Sequence, residues 1–374
     1  MFTKNKNNLT HFDKKKFVNE IVCLNEKPFR ANQIWSWIYH HGVKNFHDMT
    51  NISKQSRENL EENFSLDRPE ITKDLISFDG THKFLIKFSD NQEVEAVFIP
   101  EKNRGTLCIS SQIGCTLSCK FCHTGTQTLV RNLESHEIVS QILVAKDLIN
   151  DWPTTKSSLS TSSDQFNSIT HIVFMGMGEP FFNYENVAQA IKILSDPEGL
   201  NFSLKKITIS TSGLVPEILR CSKELKTNLA ISLHGTNDEL RTSIMAINKK
   251  YPLHELFSAC KIYNRENPRQ KITFEYVMLK NVNDQEKNAL ELINFIKKYN
   301  LNVKINLIPF NPWQGCGYLS SDETVINKFQ DILKKHDLIS PIRKTRGQDV
   351  LAACGQLKSL SQPKSYRDRV TKSV

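Results

Sequence analysis

Three cysteines, Cys115, Cys119 and Cys122, fall close together in the run Ser-Gln-Ile-Gly-Cys-Thr-Leu-Ser-Cys-Lys-Phe-Cys. Three thiolates so spaced can wrap one [4Fe–4S] cube, and three ligands leave the fourth iron open. An open iron can take an amine and a carboxylate, the pair carried by the methionine part of S-adenosylmethionine (SAM). One electron delivered to the sulfonium would then release a 5′-deoxyadenosyl radical. That chemistry belongs to the cofactor, while the protein positions it and excludes water. The competing reading is zinc with His123 as fourth ligand, although zinc sites commonly draw on two separated pairs.

Other residue types extend the constellation. Met175-Gly-Met-Gly178-Glu179-Pro180 places glycines where backbone can approach a ligand, and Glu179 can accept from a methionyl ammonium; a plain Gly-rich turn is the alternative. Ser210, Ser232-Leu233-His234 and Asn311 suit ribose, carboxylate or adenine contacts, or serve as caps and turn residues. Cys354 sits in a Gly-flanked loop near Arg343, Lys344 and Arg346, where a thiolate would have a lowered pKa. Cys108 lies inside an apolar run. Each of these two thiols can instead be a small buried hydrophobe. Cys23, Cys221, Cys260 and Cys316 read as structural.

These residues need a scaffold, and the patterning supplies one. Short apolar runs at Leu107–Ser110, Ile169–Met175, Ile207–Ser210, Leu229–Leu233, Ile272–Met278 and Val303–Ile308, with a further one at Ile339–Ile342, alternate with helical patterns. The helices fall near 135–149, 184–195, 215–221, 253–264, 284–299 and 321–337. Alternating strands and helices imply βα units around a parallel sheet. Six such units make an α/β, partial (β/α)6 barrel, whose site gathers at the C-terminal strand ends. The expected organisation is a small N-terminal helical accessory domain over 1–75, a β-hairpin extension over 76–105, the core over 106–345, and a loop carrying Cys354 with a basic tail over 346–374. In the helical domain Ile34, Trp35 and Ile38 mark one face, and Gly42 ends the helix. Residues 153–166 read as a Ser/Thr-rich loop.

The 374 residues carry a net charge of +9, which favours an acidic partner, nucleic acid first. Candidate phosphate contacts are Arg104, Lys120, Arg131, Lys205, Lys206, Arg343, Lys344 and Arg346, each also readable as a solvated surface charge. No run reaches ~18 apolar residues, and Met1–Lys16 is polar and Lys-rich. The expectation is a cytoplasmic protein without a membrane partner. In that reducing compartment nine cysteines point to metal or redox chemistry before a disulfide framework.

Taken together, these motifs resemble the RlmN family of radical SAM enzymes, which methylate C2 of adenine in ribosomal and transfer RNA. The resemblance runs from about residue 28 to 357. It rests on Phe29-Arg-Ala-Asn-Gln-Ile-Trp, Cys108-Ile-Ser-Ser-Gln-Ile-Gly-Cys115, Met175 to Pro180, Ile209-Ser-Thr-Ser-Gly213, Ser232-Leu-His234, Ile308-Pro-Phe-Asn-Pro312 and Arg346-Gly-Gln-Asp-Val-Leu-Ala-Ala-Cys354-Gly-Gln. It departs in the 153–166 loop and in Cys316.

The resemblance implies one [4Fe–4S] cluster, two SAM per turnover, and 23S rRNA (peptidyl-transferase centre) and tRNA (position 37) as substrates. It also implies an electron donor such as flavodoxin or ferredoxin, and a monomer. One SAM would methylate Cys354; the radical from the second would abstract hydrogen from that methyl group; the resulting carbon radical would add to adenine C2. Cys108 would then resolve the adduct by forming a disulfide with Cys354, and Glu95 would remove the C2 proton. Adenine C2 is not nucleophilic, so polar methyl transfer fails there and a radical must be delivered. The alternatives are the related Cfr-type adenine-C8 methyltransferases, another radical SAM enzyme such as a glycyl-radical activase, and a zinc-bearing RNA-binding protein without catalysis.

Overall fold

The computed structural model of the chain describes residues 6–153 and 168–361. The Ser/Thr-rich stretch after Pro153 and the basic tail after Ser361 lie outside the described residues.

The N-terminal unit is built from α1 (Lys14–Cys23), α2 (Pro28–Tyr39) and α3 (Lys54–Asn63). Asp13 and Ser53 accept the free N–H groups of Lys16 and Ser56 at two of the helix starts. Pro28 opens α2, where no amide hydrogen is missed. Ile34, Trp35 and Ile38 are buried as their spacing predicts. Gly42 adopts φ +74°, and a Cβ there would stand 2.2 Å from the Trp152 ring. Glycine thus lets Trp152 seat this unit against α4 (Ser135–Leu148). The same junction holds a stacked His11–His136 pair with centroids 3.9 Å apart and an Arg68–Asp147 ion pair at 3.4 Å.

The main sheet has nine strands lying side by side in chain order. They are β1 (Glu70–Ile76), β2 (His82–Lys87), β3 (Glu93–Glu101), β4 (Arg104–Cys108), β5 (His171–Phe174), β6 (Ile207–Thr211), β7 (Asn228–Ser232), β8 (Ile272–Met278) and β9 (Val303–Pro309). β1 to β4 pair antiparallel. From β4 to β9 every pairing is parallel. The crossovers are α4, α5 (Tyr184–Leu194), α6 (Val215–Glu224), α7 (Asp238–Ile244) with α8 (Leu253–Glu266), and α9 (Glu286–Tyr299), while α10 (Glu323–Lys334) follows β9. Neighbouring parallel strands joined by helical crossovers are the winding of a (β/α) barrel, and six of them form its partial, open version.

Three differences from the sequence pattern have physical causes. The hairpin at 80–100 gains a third strand, β1, within the stretch read as helical. It is an edge strand with Glu70, Lys73 and Asp74 exposed, so it lacks the alternation that marks a half-buried strand. The run Ile339–Ile342 yields only one parallel bridge, Leu307 to Ile342, because Pro341 has no N–H for a ladder. The short helix α7 carries no apolar stripe, yet it holds Arg241, one of the largest fully buried side chains.

Candidate active site

The cysteine loop follows β4. Gln112–Ile113 pairs with Arg131–Asn132, and this short ladder closes the loop between them. Gly114 has φ +77°, and a Cβ there would lie 2.3 Å from the Thr128 carbonyl oxygen, so only glycine lets the ladder run into Cys115. Cys115, Cys119 and Cys122 line one cavity of about 150 Å3 together with Glu179, Ser210 and His234. Burial pushes the Cys115 thiol up to about 12 and raises Cys119 and Cys122 as well. Such buried thiols become thiolates only against strong positive charge, which bound irons supply. This donor set on one cavity wall fits a [4Fe–4S] cluster with three protein ligands.

His123, the fourth ligand of a zinc reading, is engaged elsewhere. Its ring stacks on Trp313 at 4.7 Å, and its Nδ1 lies 3.2 Å from the Gln356 carbonyl. Among the described residues no three His, Cys, Asp or Glu side chains converge closely enough to hold a single metal ion.

The SAM-type residues converge on the same cavity from the ends of β5, β6 and β7. Gly178 has φ +96°, and a Cβ there would approach Gln112 Cβ to 2.5 Å. The Glu179 amide donates to Gln112 Oε1 at 2.9 Å. Its carboxylate accepts from the Phe181 amide (3.1 Å), the Ser212 amide (2.8 Å) and Ser212 Oγ (2.7 Å). Burial raises the Glu179 pKa against these bonds. His234 sits at φ +56° and accepts the Val277 N–H on Nδ1 at 3.0 Å. Burial drives its pKa down to about 3, leaving a neutral ring with its proton on Nε2. Ser210 and Ser232 face the cavity. Leu233 is wholly buried, and its amide donates to the Glu275 carbonyl at 3.0 Å, which sets its two neighbours in place. Asn311 lines an adjoining cavity instead, with Oδ1 buried and unpartnered.

That second cavity, about 420 Å3, occupies the barrel lumen and includes Cys108, Glu275, Asn306 and Cys354. Cys354 lines both cavities, so its accessible surface faces their interior. Its position follows from the residues after it. Gly355 O accepts the His123 N–H at 2.7 Å, and Leu357 O accepts Thr124 Oγ1 at 2.5 Å, which fastens this loop onto the cysteine triad. Cys354 and Cys108 are free thiols. The lowered Cys354 pKa anticipated from neighbouring basic residues is not what the structure produces. Burial raises it, Arg343 opposes only in part, and Arg346 turns toward Asp79 at 3.9 Å. Burial pushes Cys108 up to about 12.

Glu95 is not on the wall of either cavity. It lies buried on β3, 3.0 Å from Lys83 Nζ, and accepts the Lys358 N–H at 2.8 Å. Of the phosphate candidates, Arg104, Arg343, Lys344 and Arg346 border the lumen, whereas Arg131 is committed to Asp90 and Glu137 at 2.8 and 2.6 Å. Two groups of evident importance escaped the motif reading. Arg241 donates to the carbonyls of Ser212 (2.5 Å), Ser232 (3.1 Å) and Leu233 (3.0 Å), knitting the ends of β6 and β7. Gln112 joins the cysteine loop to the Gly178–Glu179 turn. It lay within the quoted Cys108–Cys115 motif, which was its only signal.

A three-cysteine loop after the first strand of an open six-stranded parallel barrel defines a radical SAM enzyme, and residues 109–293 match the family model of the Radical SAM superfamily. Residues 7–66 match the ribosomal RNA large subunit methyltransferase N-terminal domain. The dual-specificity RNA methyltransferase RlmN of Rhodopseudomonas palustris is 50% identical over 354 residues, covering 93% of this chain and 87% of that protein. The protein of the same name from Gluconobacter oxydans is 50% identical over 91% of this chain and 82% of its own length. A radical SAM methyltransferase crystal structure from Sphaerobacter thermophilus superposes with TM-score 0.85 at 36% identity, covering 94% of this chain and 99% of that one. The chain belongs to the RlmN family of radical SAM RNA methyltransferases.

Proposed function

We propose that this protein methylates C2 of adenine in 23S rRNA at the peptidyl-transferase centre and in tRNA at position 37, using two SAM per turnover and an S-methylcysteine intermediate. The observation that carries the reading is the double placement of Cys354. It borders the cavity of the cysteine triad and also the lumen where Cys108 lies. A single sulfur there can receive a methyl group from one side and present it to a base on the other.

Cys115, Cys119 and Cys122 are the residues that would hold the cluster. When bound, the cluster supplies the electron that cleaves SAM to methionine and a 5′-deoxyadenosyl radical. The chain's own groups do the rest. Glu179, held by Ser212 and Phe181, and Gly178 would orient the methionyl end. Ser210, Ser232, Leu233, His234 and Asn311 would frame ribose and adenine. Cys354, once methylated by displacement on the first SAM, would give up a methyl hydrogen to the radical and carry the carbon to C2. Glu95 would take the C2 proton, and Cys108, as a thiolate, would attack the Cys354 sulfur. The carbon–sulfur bond breaks, the freed carbon takes up a proton to become the methyl group, the adduct's one unpaired electron leaves by way of the cofactor, and a Cys108–Cys354 disulfide remains. Both thiols are protonated at rest, so each must lose its proton in the step that uses it.

Flavodoxin or ferredoxin fits as electron donor, and a cytoplasmic monomer fits the reading. Among the described residues no helix is long and apolar enough to cross a membrane. The deciding experiment is anaerobic reaction of the reconstituted protein with unmodified 23S rRNA fragments and tRNA, followed by nuclease digestion and mass spectrometry. The expected product is 2-methyladenosine; 8-methyladenosine alone would overturn the reading.

A further inference from the structure

Glu275 occupies the middle of β8, whose seven residues are all buried. Its side chain lies on the partition between the two cavities, which it shares with Cys354, Met175 and Ile308. Oε1 accepts from Asn306 Nδ2 at 3.0 Å. Oε2 has no partner, although Glu275 is only 4% exposed. Buried polar atoms are almost always satisfied, and an orphaned carboxyl oxygen beside a roomy cavity marks the place of an absent donor. Glu275 belongs to none of the sequence motifs and takes no part in the proposed methyl transfer.

We propose that Glu275 Oε2 accepts a hydrogen bond from the exocyclic amino group of the purine admitted to the lumen, and so selects adenine over 6-oxopurines. The proposal rests on the adenine-C2 reading above and deepens it. Adenine presents an amine at position 6, a pure donor. Guanine and hypoxanthine present a carbonyl oxygen there, which would face the carboxyl oxygen as one acceptor against another. Position 6 and C2 lie on the same six-membered ring. A side chain that holds the amine therefore also fixes where C2 points relative to Cys354 on the same partition. Asn306 keeps the carboxyl plane oriented. Burial raises the Glu275 pKa, and Arg343, Asn306 and Lys304 oppose that rise only in part. The amine of adenine adds a donor to the ionised carboxylate, whereas a 6-oxo group does not.

The test uses three RNA stem-loops that differ only at the target base, carrying adenosine, purine riboside (which lacks the amine) or inosine. With wild-type holoenzyme, kcat/KM for purine riboside and for inosine should fall by on the order of tenfold or more relative to adenosine, as expected where a site hydrogen-bonds a substrate group. Glu275→Ala and Glu275→Gln should retain native circular dichroism and cleave SAM to 5′-deoxyadenosine without RNA. In Glu275→Ala the adenosine preference should collapse toward unity. Competition binding of the same RNAs, read by fluorescence anisotropy, should follow the same order without any turnover. A wild-type preference for inosine, an adenosine preference unchanged in both variants, or loss of SAM cleavage as the main defect would each overturn the assignment. Failure of wild-type enzyme to make 2-methyladenosine from the adenosine RNA would instead strike the function itself, and the binding order would still judge Glu275.

Discussion

Lys83 Nζ lies 3.0 Å from Glu95 Oε1, and the two side chains are only 8% and 4% exposed. The pair couples two antiparallel strands beneath the C-terminal segment, since Lys83 also donates to Leu351 O at 3.2 Å and Glu95 accepts from the Lys358 amide at 2.8 Å. Burial raises the Glu95 pKa, and Lys83 is the strongest force opposing it.

A base must be unprotonated to act, so methylation that depends on Glu95 should rise with pH as this carboxyl ionises. Lys83→Met removes the opposing charge and leaves burial unbalanced. The acidic limb of the rate profile should then move to higher pH by about one unit or more, the size of effect a close opposite charge exerts. Single-turnover RNA methylation between acid and neutral pH measures this. A limb that stays in place would separate Glu95 from the proton transfer.

The two sets of cysteines should fail differently. Cys115→Ala should lose the cluster, read as a fall from about four irons per chain, and with it SAM cleavage. Cys354→Ala should keep the irons and still cleave SAM, yet leave RNA unmethylated. Normal methylation by that variant would refute the methyl-shuttle role. Cys108→Ala should accumulate a covalent protein–RNA adduct visible on a denaturing gel, and prompt release of RNA would argue against Cys108 as the resolving thiol.

Much of the fold was legible because the parallel strands are short, apolar and spaced by amphipathic helices; Ile272–Met278 and Val303–Pro309 fall almost where their composition puts them. β1 was hidden because an edge strand with one thin contact face needs little apolar alternation. In the site, local signals worked where chemistry is local. The cysteine triad and Gly178–Glu179 each lie within a few residues. Glu275 and Arg241 were invisible as functional groups because neither sits in a recognisable motif and their roles arise only where separate strand ends meet. Basic residues near Cys354 in sequence do not show which of them faces its sulfur. Arg343 does, Arg346 turns to Asp79, and desolvation of the thiol between the two cavities outweighs Arg343 although the residue as a whole keeps exposed surface.

Arg241 invites a stability test. Its guanidinium satisfies three carbonyls at the ends of β6 and β7 and bonds Asn248 Oδ1 at 2.9 Å. Burial lowers its pKa to about 10, so it remains charged at neutral pH. Arg241→Met would keep much of the apolar stem but strand those oxygens, each at about 1–3 kcal/mol. Urea unfolding should show a loss of at least about 3 kcal/mol. SAM affinity should weaken too, because Ser212 supports Glu179 and its carbonyl is one of the three. A loss under about 1 kcal/mol would mean water replaces the guanidinium easily.

The loop bearing Cys354 is held from its other side by the turn between β1 and β2. Asp79 Oδ2 accepts the Gly347 N–H at 3.0 Å, and Ser77 Oγ donates to Asp349 Oδ1 at 2.5 Å. Leu351, at φ +52°, is a non-glycine residue in the left-handed region, a conformation that costs energy and is held by the bonds around it, whereas Gly347 at φ +61° adopts its own without strain. Burial pushes the Asp79 pKa upward, but hydrogen bonds from Thr81, Gly347 and Ser77 outweigh it and hold the carboxyl below its ordinary value. The stabilisation it gives is therefore present above the unfolded-state pKa and disappears as pH falls through the folded value, in the acid range. At neutral pH Asp79→Ala should mimic that loss. Cys354 should react with iodoacetamide roughly fivefold to tenfold faster, consistent with one or two lost hydrogen bonds, as measured by mass spectrometry of the labelled peptide. SAM cleavage without RNA should be unchanged, while RNA methylation falls. Equal labelling rates in wild type and variant would show that the triad-side bonds alone hold Cys354 in place.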